Sequence, residues 1–320
     1  MRKVLTLSLL LAMIMIGSCQ KDASRRIVEG DTQVTLTLNV PSKIATRALS
    51  EAEHTDIVFY EIWTSDWQRK LYPVDDLASE AVNDGRASIN LTLVTNQTYN
   101  FIFWAQNKNC GAYDVTNLKK VSVDYSVIAP YVESNQDLFD AFYAVKTFNV
   151  TGPLKDTVAL HRPFVQLNFG ATRMSTSFGP LHVDSTKVTV SSLATTFNTI
   201  EGIGEDPTDS PVTFKAVGMP TTDSLSTNQN KYTWVTMDYM LMNGDHDAVD
   251  VIGEFYVGMP SPIVHEVPQA PIKRNYRTNI VGDLFTTDAT LTVVVDESFL
   301  GDFVGDLEGD FEHIDNPLID

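Results

Sequence analysis

The chain has 320 residues, 43% of them hydrophobic, and a formal net charge of −18. This length predicts two domains, each with a core of its own. The acidic charge argues against nucleic-acid binding, because phosphates are neutralised by a basic surface.

The N-terminus has the features of an export signal. Arg2 and Lys3 precede an apolar run from Val4 to Ile16, and small residues lead to Cys19. A charged start, a short apolar core and small residues at its end are typical of a secretory signal. The run is shorter than the ~20 residues that a transmembrane helix needs. The ending resembles the bacterial lipobox, which implies a signal peptide over 1–18 and lipidation of Cys19. An ordinary signal peptide that contains a cysteine is the alternative.

Residues 19–31 are polar and predict a tether between the acyl chains and the fold. Gln20-Lys21-Asp22 resembles the short tag that sends some lipoproteins to the outer face of the outer membrane. Once Cys19 is set aside, Cys110 is the single cysteine, so we expect no internal disulfide.

Short strand patterns dominate the rest of the chain. Val34, Leu36, Leu38 and Val40 alternate with polar residues, which predicts a half-buried strand. Similar runs occur at 57–63, 89–93, 99–105, 148–150, 157–160, 165–169, 187–191, 213–217, 233–237, 249–257 and 290–295, with a turn at Asn96. Three short helices are expected at 77–82, 135–143 and 192–199. Many short strands separated by turn residues favour β-sandwiches.

Arg162-Pro163 interrupts the strand pattern, since proline cannot donate to a ladder. We therefore predict two tandem β-sandwich domains, at 32–160 and 161–297, with short helices in loops. An acidic, glycine-rich tail follows at 298–320.

The tail contains a four-residue repeat between Gly301 and Glu312, and its three regular glycines disfavour a helix. Written as a strand, Phe303, Leu307 and Phe311 share one face and most acidic residues share the other. Three interpretations stay open: a strand donated to a neighbouring subunit, a disordered acidic end, or a strand paired within its own domain.

Several segments in order resemble the fimbrillin-like lipoproteins, the type V pilins and accessory subunits of Gram-negative anaerobes. The resemblance covers most of the mature chain. It is carried by residues 99–107 (YNFIFWAQN), 140–144 (DAFYA), 158–170 (VALHRPFVQLNFG) and 271–280 (PIKRNYRTNI).

This resemblance implies two transthyretin-like sandwich domains and polymerisation by strand exchange. In that family an arginine-specific protease removes the first strand, and the matching site here is Arg47-Ala48. An exposed loop arginine without that role is the alternative. The expected function is a structural or adhesive subunit, or an anchor, of a cell-surface fimbria on the outer membrane. Its expected partners are other fimbrial subunits and ligands on host or bacterial surfaces.

We expect no enzyme activity, catalytic residue, cofactor or metal site, because the common motifs of phosphate binding, nucleophilic catalysis and zinc chemistry are missing from the sequence. The run from Gly244 to Asp247 is interpreted as a solvated turn, and the aspartates of the tail as a solvated face, since their spacing does not match calcium ligands. His161 and Cys110 are interpreted as structural.

A second function is left open, that of a monomeric surface lipoprotein that binds glycans or host proteins. Trp63, Trp67 and Tyr72 would form its sugar-stacking platform, although two sandwich cores would also use these aromatic residues.

Overall fold

The computed structural model describes residues 30–40, 55–73, 77–132, 137–176, 179–180, 182–217, 232–244, 248–287 and 289–296. Within these ranges the chain is almost entirely β-strand, which confirms the all-β class. None of the helices in the described residues has the length and apolar character needed to cross a membrane.

The strands of the first half are as follows: β1 (Asp31–Asn39), β2 (Ile57–Thr64), β3 (Lys70–Tyr72), β4 (Ala78–Ala81), β5 (Arg86–Val94), β6 (Gln97–Gln106), β7 (Tyr113–Asp114), β8 (Lys120–Val123), β9 (Pro130–Val132), β10 (Ala141–Val150) and β11 (Leu154–Ala159). One α-helix, α1 (Tyr125–Ile128), and one 3-10 helix (Asp137–Phe139) lie between β8 and β10.

The strands of the second half are as follows: β12 (Val165–Ala171), β13 (Ser175–Thr176), β14 (Gly179–Pro180), β15 (Ser185–Val190), β16 (Ala194–Asn198), β17 (Ile203–Pro207), β18 (Val212–Val217), β19 (Thr233–Trp234), β20 (Asp238–Met240), β21 (Ala248–Tyr256), β22 (Ile263–Pro271), β23 (Arg277–Gly282) and β24 (Leu291–Asp296).

The first sandwich consists of two sheets that enclose one apolar core. One sheet has the strand order β11-β1-β5, and the other has the order β10-β6-β2-β3 with β4 also paired to β2. Alternate residues of each strand point into the shared core, as the period of two in a β-strand requires. The core includes Leu36 from the first sheet and Phe103 from the second, and both are fully buried.

The sheet that contains β6 is buried on both faces. Phe101 and Phe103 point into the first core, whereas Ile102 and Trp104 belong to a second, larger core. On this second side the Trp104 ring contacts Phe164, with ring centroids 6.5 Å apart. The two cores are therefore separated by a single sheet.

The larger core is enclosed by three further sheets, with strand orders β22-β21-β15-β18-β9, β19-β12-β23-β24 and β17-β16-β8-β7. Strand β8 pairs with β16, and β9 pairs with β18. The segment from β7 to β9 thus leaves the first sandwich and pairs with strands of the second half.

Two of the expected helices are wrong, because residues 78–81 form β4 and residues 194–198 form β16. At 135–143 the described residues form one 3-10 turn and the start of β10. Short apolar runs do not distinguish a helix from a strand by periodicity. In both cases pairing with a neighbouring strand decided the structure: β4 pairs with β2, and β16 lies between β8 and β17.

Candidate strand-exchange site

Strand β1 lies in the middle of its sheet. It runs antiparallel to β5 over nine residue pairs and parallel to β11 over six. Both of its backbone edges are therefore occupied, although it is the first strand in the described part of the chain. Without β1, the facing edges of β5 and β11 would lose their hydrogen-bond partners, and unpaired backbone groups are costly when they are shielded from water.

The inward face of β1 fills the first core. Leu36 and Leu38 are fully buried, and Val34 and Val40 are nearly so. Beneath them lie aromatic side chains of the opposite sheet, among them Phe101 and Phe148, whose rings meet edge to face at 5.4 Å. We call the channel between β5 and β11, above these aromatic rings, the β1 groove.

Two side-chain hydrogen bonds on the outward face hold β1 in register with β5. The Gln33 amide donates to the hydroxyl of Thr92 at 3.0 Å, and the Thr35 hydroxyl donates to Oδ1 of Asn90 at 3.0 Å. A shift of β1 by two residues would keep the apolar face inward but would break both bonds. The outward side chains of β5 therefore favour the observed register.

The residues that the sequence singled out for strand exchange lie outside the described part of the chain. These are the lipidation site Cys19, the cleavage pair Arg47 and Ala48, and the tail anchors Phe303, Leu307 and Phe311. Their roles stay predictions. In the sequence, Arg47 falls between the end of β1 at Asn39 and the start of β2 at Ile57.

The three aromatic residues proposed as a sugar platform do not present three open rings. Lys119 places its Nζ 3.5 Å from the centre of the Trp63 ring and donates to the backbone carbonyl of Trp67 at 2.6 Å. Tyr72 is 43% exposed and stacks on Tyr60. The Lys119 contact could not be predicted from the sequence, because it joins residues that are more than 50 positions apart.

Neither Cys110 nor His161 is arranged for chemistry. Cys110 is 3% exposed, and burial raises the pKa of its thiol. Burial, and to a smaller extent the charge of Arg274, lowers the pKa of His161. Over the described ranges no group of three or more His, Cys, Asp or Glu residues could hold a metal ion. Residues 245–247 of the expected solvated turn lie outside those ranges.

No curated protein matches this sequence. Among solved structures, a candidate cell adhesion protein from Bacteroides ovatus superposes with a TM-score of 0.49 at 12% identity, over 83% of this chain and 96% of the other. The tip fimbrial protein Mfa3 from Porphyromonas gingivalis gives 0.48 at 8% identity, over 83% and 99%. A fimbrial assembly protein from Parabacteroides distasonis gives 0.43 at 13% identity, over 83% and 99%. All three TM-scores are below 0.5, and none of these likenesses assigns a function to this chain.

A family model covers nearly the whole sequence. It is the model of a family of unknown function, DUF6562, and it matches residues 25–315. The match spans part of the tether, all the described strands and most of the tail, so the chain belongs to the DUF6562 family.

Proposed function

We propose that this chain is a structural and adhesive subunit of a cell-surface fimbria, and that subunits join by exchange of the strand in the β1 groove. The observation that carries the proposal is the position of β1, which is central in its sheet and precedes the segment that contains Arg47. Cleavage there would leave β1 attached by noncovalent contacts alone. A strand from another subunit could then pair with β5 and β11, which is β-augmentation.

The resident strand has to leave before another can enter. Burial of Val34, Leu36, Leu38 and Val40 stabilises β1 by about 6–12 kcal/mol. The three anchors of the tail, Phe303, Leu307 and Phe311, would contribute about 5–9 kcal/mol before ordering costs. Because the tail offers no more than β1 already supplies, it would not displace a covalently attached strand. This comparison gives proteolysis a physical role as the trigger of assembly.

The arrangement of the two cores supports a subunit that survives loss of β1. Val34, Leu36 and Leu38 contact the first core alone, and the larger core receives nothing from β1. The sheet that forms the floor of the groove stays packed on its other face through Ile102 and Trp104. An open groove would therefore keep its aromatic floor in place.

The export signal supports the remaining parts of the proposal. With Cys19 lipidated, the subunit would reach the outer membrane on acyl chains, and the departure of β1 after cleavage at Arg47 would release the fold from that anchor. We propose the cell surface as its location and other fimbrial subunits as its partners. A chain that keeps Arg47 intact would remain attached and would serve as an anchor.

An arginine-specific protease tests this function on the chain from Gln20 onward. We expect a cut after Arg47, identified by mass spectrometry, followed by a ladder of oligomers on gels that are run without boiling. The variant Arg47→Ala is the matched control, and it should stay monomeric with β1 in place. A wild-type protein that is cut after Arg47 and still remains monomeric would contradict strand exchange.

A second variant tests the tail as the donated strand. Deletion of residues 301–320 should leave cleavage unchanged and should abolish the ladder. An undiminished ladder from the shortened chain would eliminate the tail as the donor while leaving strand exchange itself in place.

A further inference from the structure

Eight outward side chains border the β1 groove, and six of them can donate a hydrogen bond, the exceptions being Val94 and Ala159. We call these six the rim: Arg86, Ser88, Asn90 and Thr92 on β5, with Lys155 and Thr157 on β11. All of them are exposed except Thr92, which is half-buried. The rim therefore differs from the apolar floor below it and faces only the outward side chains of whichever strand occupies the groove.

The strand register places rim residues on both sides of β1. Thr35 lies between Asn90 and Lys155, and Thr37 lies between Ser88 and Thr157. At the end of the strand, Asn39 pairs with Arg86. A strand in the place of β1 therefore meets a cation or a hydroxyl donor on at least one side at each of the outward positions 33, 35, 37 and 39.

The resident strand does not use the two rim charges. Its outward residues from Gln33 to Asn39 are uncharged, and within the described residues neither Arg86 nor Lys155 forms an ion pair. Asp156 adjoins Lys155 in sequence but pairs with Leu36 and therefore lies on the opposite face of the sheet from the rim. Its carboxylate accepts a hydrogen bond from the backbone N–H of Thr157 at 2.7 Å. Asp84 lies in the turn before Arg86 and is the other carboxylate close to the rim in the sequence.

We infer that the rim selects an incoming strand by its outward side chains and favours carboxylates, and that the strand it fits is the acidic segment 301–312 of a second copy of this chain. This inference rests on the proposed function and adds the specificity of the groove. With Phe303, Leu307 and Phe311 inward, five of the six outward positions of that segment are acidic: Asp302, Asp306, Glu308, Asp310 and Glu312.

We take the incoming strand to keep the direction of the strand that it replaces. A strand in the place of β1 runs antiparallel to β5 and parallel to β11. In that direction the four consecutive outward carboxylates of Asp306, Glu308, Asp310 and Glu312 can lie beside the four rows of rim donors. A strand shifted by one residue would turn these carboxylates toward the aromatic floor. The rim and the floor therefore specify opposite faces of the same segment.

The experiment uses the protease-treated full chain and measures how much of a competing peptide is needed to halve the oligomer ladder. One peptide copies residues 300–313. A second carries Asp302→Asn, Asp306→Asn, Glu308→Gln, Asp310→Asn and Glu312→Gln. Exposed ion pairs are individually weak, so we expect the neutral peptide to be about three- to tenfold less effective, and the difference to shrink at high salt.

Charge reversal on the rim provides the second arm. The double variant Arg86→Glu and Lys155→Glu should weaken the ladder and the effect of the acidic peptide, again by about three- to tenfold. Lys146→Glu with Lys215→Glu is the matched control, since it changes the net charge equally at exposed positions outside the rim. A peptide with lysine at the five acidic positions should inhibit the rim variant more strongly than it inhibits the wild-type chain.

The outcomes separate the two proposals. A wild-type chain that is cleaved without forming a ladder would overturn strand exchange and the rim inference together. A normal ladder from the rim variant, with equal inhibition by acidic and neutral peptides, would overturn the rim inference alone. If a peptide that copies residues 31–39 inhibits while the acidic peptide does not, the groove accepts its own strand and not the tail.

Discussion

The carboxylate of Asp140 lies against the guanidinium of Arg162 in the interior of the protein. An Nη2 to Oδ2 distance of 2.8 Å and two Nε to carboxylate distances of 2.9 Å join side chains that are 3% exposed or less. The same guanidinium stacks on the Phe142 ring at 4.5 Å. This ion pair connects the start of β10 to the segment where the sequence placed the boundary between the two halves.

Removal of one partner of this buried pair should be strongly destabilising. Asp140→Ala leaves a buried cation without its carboxylate, so we expect a loss of about 3–5 kcal/mol in the free energy of unfolding. Urea denaturation followed by circular dichroism measures it. Glu201→Ala, at an exposed position, should change stability by no more than about 0.5 kcal/mol. Equal effects of the two substitutions would contradict the assignment.

The inward face of β1 should be more sensitive to truncation than its outward face. Leu36 is fully buried, so Leu36→Ala should destabilise the protein by about 2–5 kcal/mol. Thr37→Ala, at the next position and on the opposite face, should lower the free energy of unfolding much less.

The same Leu36 variant should release β1 faster after cleavage at Arg47, which a time course of the oligomer ladder would measure. A Thr37 variant that unfolds first would indicate a shifted register.

A close backbone approach at Gly204 excludes any side chain. A Cβ atom at this position would lie 1.9 Å from the carbonyl oxygen of Met242, whose backbone cannot simply rotate away. Gly204→Ala should therefore destabilise the fold by about 1–3 kcal/mol or more. Gly152→Ala is the control, because a Cβ there meets nothing within 4 Å. Thermal unfolding of both variants measures the difference in stability. A Gly204→Ala variant as stable as the wild type would show that β17 can move away from the backbone of Met242.

Cys110 should react slowly in the native protein. Burial raises its pKa, so at pH 8 the reactive thiolate is scarcer in the folded than in the unfolded chain. In a chain that starts at Gln20, alkylation of this single thiol should be slow until denaturant is added. Rapid labelling of the folded chain would contradict its burial.

The raised pKa of Cys110 also predicts a pH dependence of stability. The contribution of the buried neutral thiol is complete below the unfolded pKa of about 8.5 and is lost as the pH rises through the higher pKa of the folded state. Cys110→Ala should remove that part of the decline. The free energy of unfolding of both proteins, measured between pH 7 and pH 10, tests the prediction.

Half of the 24 strands in the described residues could be predicted from local patterns. The alternation around Leu36 marks β1, because a strand with one buried face repeats its apolar residues with a period of two. Continuous β-branched and aromatic runs mark β2 and β6, and β6 is buried on both faces. Strand β22 is one of the strands that local patterns did not predict. Prolines at 268 and 271 interrupt its apolar pattern, and pairing with β21 supplies the stability that the local sequence lacks.

The candidate site could be predicted only in part. The alternating pattern of the sequence indicated β1 as a strand. The family resemblance implied Arg47 as a cleavage point. Nothing local indicated that Lys155 on β11 would lie beside Thr35, because that row is formed by a parallel pairing between distant segments. The hydrogen bonds from Gln33 and Thr35 to β5 could not be foreseen either, because they also join segments that are more than 50 positions apart.

By itself, the sequence determined that this is an acidic, all-β chain whose first strand has one apolar and one polar face. Composition and period are properties of neighbouring residues, and they need no knowledge of the fold. The tertiary structure alone decided that β1 lies between β5 and β11, that Trp104 faces a second core, and that the rim gathers cations around the groove. These relationships depend on which segments pair across long separations, and pairing is settled by the burial of whole sheets rather than by any short run of residues.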